Sequence, residues 1–268
     1  MSIITLTTDF GLADGYVGTM KGVILGIDPT ATIVDISHEI APQDLREAAY
    51  TLYAARPYFP QGTIHVVVVD PGVGTERRAI ALRTPQATFV APDNGVLSYV
   101  IASEKVEEIV HLTNPRYHLS PVSRTFHGRD IFAPAAAHLA RGVPLAELGQ
   151  PLTEIITFPL PRPEDRPDGA IVGQVIHVDR FGNLTASIMS KDLAHPPLLR
   201  ESIIEIKGRS IRGIANNYAE GMPGELLALI GSSDHLEIAV SGGSASQTLE
   251  VTVGDEVLLK TGGHEDRR

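Results

Sequence analysis

The chain has 268 residues, 43% of them hydrophobic, with no cysteine and no tryptophan; 22 basic against 32 acidic residues leave a net charge of −10. That length can bury a sizeable core, and the missing cysteines exclude a disulfide scaffold, a thiolate zinc site and a cysteine nucleophile. The acidic balance and an aromatic content of 5% argue against a nucleic-acid partner, and the longest aliphatic stretch, residues 64–69, is far too short to cross a membrane.

Residues 1–6 run into a strand-like pattern with no basic leader, so no secretory signal is expected and the cytoplasm is the default location. Residues 3–7 predict a strand, and Tyr16, Val17, Met20, Val23 and Ile24 follow at helical spacing. A second strand is expected at 32–35, then a helix starting near Pro42, in the first turn, and running through Leu45, Ala48, Ala49 and Leu52. Residues 63–69 form a near-continuous apolar strand, the pattern of a parallel strand covered on both faces. Strands at 79–83 and 88–91 and a short helix at 96–101 come next. A further helix is expected within 126–140, with Asp130 as its N-cap and Pro134 near its first turn.

Four prolines between Pro159 and Pro167 punctuate a charged stretch and mark a linker. Beyond it, short strands are expected at 170–178, 184–188, 202–207, 226–230, 236–240 and 256–260, separated by Gly, Asn and Ser clusters. The pattern predicts an α/β fold: an N-terminal domain, residues 1–157, with a mainly parallel sheet flanked by helices; a linker at 158–169; and a smaller all-β, barrel-like domain at 170–268.

Ligands of open parallel sheets bind beyond the carboxyl ends of the strands. Two acidic loops satisfy that rule: Thr7-Thr8-Asp9-Phe10-Gly11 after the first strand, and the loop from Asp70 to Arg77 after the valine-rich one. An acid in such a place can accept hydrogen bonds from a ribose diol, although Asp9 alone reads equally as an Asx turn or helix cap. Asp70 and Arg77 can meet as a charge-assisted pair, in a site or merely across a turn. His127 lies beside a glycine at a loop-to-helix junction, where a side chain can point into a cleft or simply cap the helix. Asp179-Arg180-Phe181-Gly182-Asn183, Ser232-Ser233-Asp234 and Ser241-Gly242-Gly243-Ser244 are polar loops that hairpin turns explain equally well. The dinucleotide fingerprint, P-loop, nucleophile elbow and zinc helix are all absent, and no convergent metal ligands can be assembled.

Together, Thr7-Thr8-Asp9-Phe10-Gly11, Val69-Asp70-Pro71-Gly72-Val73-Gly74-Thr75, Ala91-Pro92-Asp93-Asn94-Gly95, Phe126-His127-Gly128-Arg129-Asp130 and Asp179-Arg180-Phe181-Gly182-Asn183 resemble, in order and over essentially the whole chain, the S-adenosyl-L-methionine (SAM) hydroxide adenosyltransferases. These adenosine-forming SAM hydrolases are related to fluorinase and chlorinase. The resemblance implies an N-terminal α/β domain, a C-terminal β-barrel, and a homotrimer binding SAM between subunits. It also implies attack of water or hydroxide on C5′ of SAM, with SAM as substrate and no cofactor or metal. The family's Asp-Arg-His set maps onto Asp70, Arg77 and His127. Asp9 maps onto the acid gripping the ribose, while Asp179, Phe181, Asn183 and Ser233 fall in motifs contacting methionine and adenine. The loop of Ser241, Gly242 and Gly243 maps onto the strip reading the adenine edge, and Asn94 is taken as a further substrate-binding residue. Within the trio, His127 can serve as base while Arg77 and Asp70 orient the water, or Arg77 can stabilise hydroxide; the residues alone leave the base open. No fluorinase-like insertion stands between Val96 and Tyr117, which favours water over halide. A halogenase, or a protein that binds SAM or adenosine without turnover, is the alternative.

Overall fold

The computed structural model describes residues 2–193 and 201–260, so parts of the expected C-terminal domain, residues 194–200 and 261–268, lie outside the described residues. The chain divides into two compact units, Met1–Pro159 and Leu160–Arg268.

The first unit runs β1 (Ile3–Thr8), α1 (Tyr16–Ile27), β2 (Thr32–Ser37), α2 (Leu45–Ala55), β3 (Thr63–Val68), β4 (Ala79–Arg83), β5 (Ala87–Pro92), α3 (Ser98–Ser103), β6 (Glu108–His111), α4 (Ala133–Ala140) and β7 (Gln150–Pro151). Its seven strands form one mixed sheet in the order β2-β1-β3-β5-β4-β6-β7. The first four in that order are parallel, and β4, β6 and β7 complete the sheet with antiparallel pairings.

Side-chain alternation explains the layers. Ile4, Leu6, Ile64, Val66 and Val68 pack with Met20 and Ile24 of α1 and Ala133, Ala136 and Ala137 of α4. Val67, Ile80, Leu82 and Phe89 face the other way and pack with Ala48 and Leu52 of α2 and Val100 of α3. Helices therefore cover both faces, which is why β3 is apolar apart from Thr63 at its start and His65. That ring stacks 5.3 Å from Phe89, and its Nδ1 lies 2.8 Å from the Thr5 hydroxyl. Burial, reinforced by the Arg56 charge, pushes its pKa down to about 4.

Three helix starts differ from the sequence expectation, the least of them α3, which begins at Ser98, two residues late. The second helix begins at Leu45 rather than near Pro42, because the Asp44 carboxylate accepts from the backbone N–H groups of Arg46 and Glu47, both at 2.9 Å, and caps it there. Asp130 is not an N-cap: it is buried inside a π-helical turn, Gly128–Phe132, that leads into α4. Its carboxylate accepts from Ser123 N at 2.7 Å and from the Arg129 guanidinium. Pro134 does occupy the first turn of α4.

The second unit contains β8 (Glu164–Asp165), β9 (Ile171–Val178), β10 (Leu184–Met189), β11 (Ile203–Ile206), β12 (Arg209–Arg212), β13 (Leu226–Ile230), β14 (His235–Val240), α5 (Ala245–Leu249) and β15 (Glu256–Lys260). Its antiparallel sheet runs β12-β11-β15-β9-β10-β14-β13, with β8, inside the proline-rich stretch, pairing with β9. Val175, Leu184, Ile188, Ile204, Ile238 and Val257 fill the curled interior.

Candidate active site

In the first unit, two loops at the carboxyl ends of adjacent parallel strands and the segment before α4 converge on one cleft. It holds about 660 Å³ and is lined by Asp9, Phe10, Tyr16, Asp70, Phe126 and His127, among others. Asp9 follows β1, Asp70 follows β3, and His127 immediately precedes the π turn. Gly74 allows the Asp70 loop to lie against the segment carrying His127. It adopts φ +76, and a Cβ there would collide with the Arg124 carbonyl.

Asp70 and Arg77 form a two-pronged ion pair, Nε to Oδ1 at 3.0 Å and Nη2 to Oδ2 at 2.5 Å, with side chains only 5% and 7% exposed. The planar guanidinium matches the carboxylate and is itself always charged. Burial pushes the Asp70 carboxyl above its usual range, against the opposing pull of Arg77. The same Nη2 lies 3.0 Å from Nδ1 of His127. A guanidinium can only donate, so Nδ1 must accept, and the proton of the neutral ring resides on Nε2. Burial and then the Arg77 charge hold the His127 pKa below that of a free imidazole, in keeping with a neutral ring. Nη1 of Arg77 is buried without a hydrogen-bond partner, and the guanidinium carbon lies 5.4 Å from the centre of the Phe132 ring. The neighbouring Arg78 is committed elsewhere, its Nε donating to Asp93 at 2.7 Å.

Asp9 sits at the cleft wall, its Oδ2 accepting from Gln43 N at 2.8 Å. Phe10, Tyr16 and Phe126 form an aromatic corner with ring centres 5.1 to 5.9 Å apart. Asn94 does not line this cleft. Its side chain donates to Val69 O at 2.9 Å and accepts from Val96 N at 3.2 Å, tying the end of β5 to the end of β3. Sequence pattern alone does not assign a site role to Tyr16, which it places on a helix, to Gln43, or to His38, which lies in the loop after β2. Only His38 carried a signal, a polar side chain just past a parallel strand.

In the second unit, the Asp179 carboxylate organises its own turn, accepting from Phe181 N at 2.9 Å, Asn183 N at 2.8 Å and Asn183 Nδ2 at 3.1 Å. Phe181 is left 75% exposed at the apex. Gly182 brings this turn against Ser244, so the Asp179 turn meets the loop of Ser241, Gly242 and Gly243. Ser233 precedes β14 and that loop follows it, so the strand's length, about 17–20 Å, stands between them. The Tyr218 hydroxyl donates to Glu237 Oε1 at 2.5 Å, and burial together with this bond pushes its pKa up to about 12. A larger depression of about 1000 Å³ along β12 and β13 contains none of the residues singled out in the sequence. Among the described residues, no group of three or more His, Asp or Glu could hold a metal ion, and no helix is long and apolar enough to cross a membrane.

A mainly parallel α/β unit with a hydrogen-bonded Asp-Arg-His array at the carboxyl ends of its strands, joined to an antiparallel barrel-like unit, defines a class of two-domain proteins with a small-molecule site. Residues 4–149 match the profile of the SAM hydroxide adenosyltransferase N-terminal domain and residues 173–258 that of its C-terminal domain. The chain belongs to that family. It is 41% identical to a Salinispora tropica protein and 37% to a Thermus thermophilus protein, each named (R)-S-adenosyl-L-methionine hydrolase; the alignments cover 97% of this chain and 98% and 100% of theirs. A fluorinase of Nocardia brasiliensis is more distant, 29% identical over 97% of both chains. Among solved structures, an uncharacterised Thermotoga maritima protein superposes with a TM-score of 0.89 at 39% identity, covering 96% of this chain and 99% of that one.

Proposed function

We propose that this protein hydrolyses SAM, in the (R)-sulfonium form named for its relatives, to adenosine and L-methionine. The observation that carries the reading is the hydrogen-bonded Asp70–Arg77–His127 array, of which Asp70 and His127 line the same cleft as Asp9. An oxygen of water forms a bond to C5′ while the C5′–S bond breaks, and its electron pair returns to sulfur. Methionine departs as a neutral thioether, so no acid is required. The difficult partner is water, whose pKa in bulk is about 15.7.

His127 and Arg77 act as donors in this mechanism. With Nδ1 occupied by Arg77, the imidazole carries its proton on Nε2, and Nη1 of Arg77 is a buried donor without a hydrogen-bond partner. Donors that turn to a developing hydroxide stabilise it most strongly where water is excluded. Asp70 takes the proton: burial has raised its affinity for one, and its carboxylate keeps lone pairs beyond those held by Arg77. Asp9 grips the ribose hydroxyls. Asp179, Phe181, Asn183, Ser233 and the Ser241–Gly243 loop supply methionine and adenine contacts. By family resemblance, the working form is a cytoplasmic homotrimer with SAM between subunits and no resident cofactor or metal.

The test is incubation with SAM in ¹⁸O-labelled water, with chloride and fluoride added in parallel. Label in the adenosine 5′-hydroxyl together with stoichiometric methionine supports the reading. A 5′-halo nucleoside as the main product, or binding without turnover, overturns it. The acid limb of kcat/KM should lie above the ordinary carboxylate value of about 3.9. Asp70 is raised and His127 lowered, and activity is lost as pH drops through either.

A further inference from the structure

The Thr8–Gly11 turn is held by the loop after β2 rather than by its own strand alone. His38 is 4% exposed and Thr8 fully buried, yet both are polar, so their hydrogen bonds require an accounting. The Thr8 hydroxyl lies 2.8 Å from Nδ1 of His38. Nε2 of the same ring lies 3.1 Å from Asp35 Oδ1, within ion-pair range but outside hydrogen-bond geometry, and Lys21 Nζ holds Asp35 Oδ2 at 2.6 Å. A carboxylate only accepts, so the ring proton belongs on Nε2, and Nδ1 accepts from the Thr8 hydroxyl. The Thr8 oxygen then accepts from Phe10 N at 3.3 Å. The backbone of His38 adds a second tie, its carbonyl accepting from Gly11 N at 2.7 Å. The two ties bracket Asp9, and Gln43 N, from the same loop, holds its carboxylate.

We infer that His38, acting through Thr8, is a positioning residue for Asp9 and sets how well the protein grips a ribose diol. The inference rests on the ribose role given to Asp9 above, and its test is separable from turnover. The probe is adenosine measured by calorimetry against 2′,3′-dideoxyadenosine, which lacks the diol, alongside steady-state kinetics with SAM. Thr8→Val, close in shape but without the hydroxyl, and His38→Ala should each weaken adenosine binding about tenfold while leaving dideoxyadenosine binding unchanged. KM for SAM should rise by a similar factor with kcat within about twofold. His38→Asn, whose Oδ1 can replace Nδ1 as acceptor, should recover most of the loss, and the Thr8→Val/His38→Ala double variant should be little worse than either single one. Equal loss for both nucleosides means a merely structural role and overturns the inference, as does unchanged adenosine binding in Thr8→Val. A wild-type protein that binds adenosine through its diol but releases no methionine from SAM would defeat the hydrolase reading and leave this one standing.

Discussion

In the Met1–Pro159 unit, charged groups at the cleft are locked against one another inside the protein, whereas in the Leu160–Arg268 unit the residues assigned to recognition sit in turns that bond largely to themselves. Asp70 and Arg77 are almost fully enclosed and share two hydrogen bonds, while Asp179 spends its carboxylate on its own hairpin and leaves Phe181 exposed. The contrast shows two ways of fixing a side chain. Buried ion pairs hold a geometry at a desolvation cost that only good mutual pairing offsets. A self-capped turn costs little and can present an aromatic face or a backbone edge to whatever arrives. Chemistry needs the first kind of rigidity, recognition only the second.

The largest expected effect tests whether the rigidity of the first unit serves reaction rather than binding. Asp70→Asn should lower kcat by roughly 10²- to 10⁴-fold, the usual worth of a positioned proton-transfer group, and His127→Ala by roughly 10²- to 10³-fold, that of a donor to a developing anion. Their SAM dissociation constants should stay within a few-fold of wild type; comparable losses in both quantities would erase the distinction between the units.

Stability should separate the units next. His65 is neutral in the fold because its pKa is about 4, but the unfolded chain takes up a proton below about 6.5. The His65 contribution to stability is therefore flat above that value and lost as pH falls from 6.5 towards 4, by on the order of 3 kcal/mol in full. Urea unfolding of wild type and His65→Phe at pH 7 and 5 checks this, since the variant should lose the share of the slope that His65 contributes even if its baseline is lower.

In the second unit, Gly182→Ala should destabilise by roughly 1–3 kcal/mol, because φ is +84 and the added methyl collides with Ser244. Its thermal midpoint should fall and its KM for SAM rise, while kcat at saturation persists. The smallest effect is Asp44→Ala, which removes the α2 cap and should cost about 1 kcal/mol in a melt.

Much of this arrangement was legible from residue order. Continuous burial of β3 followed from its aliphatic run, and the acids after β1 and β3 followed from the rule that ligands meet parallel strands at their carboxyl ends. What could not be read was competition between neighbouring signals. Pro42 and Asp44 both mark a helix start, and only the hydrogen bonds from Arg46 N and Glu47 N show which prevails. Asp130 looks like a cap until its carboxylate is seen folded back on Ser123. The β12 strand, Arg209–Arg212, alternates too briefly among charged residues to stand out, and α5 is a single short turn. The tautomer of His127 is beyond any linear pattern, for it depends on an arginine fifty positions earlier.

The π turn at Gly128–Phe132 carries one more implication, for how freely this segment can change length. Such a turn is an α-helix with an extra residue lodged in it. The turn absorbs its extra residue, so the chain on either side keeps its phase, and losing one residue there merely regularises the helix. Losing one residue within α4 would instead swing everything before it by about 100° around the axis, and His127 would leave the Arg77 guanidinium without any change to its own chemistry. Across related genes, single-codon deletions should therefore be tolerated inside the π turn and rare within α4, where one should mark a lineage that has given up the reaction.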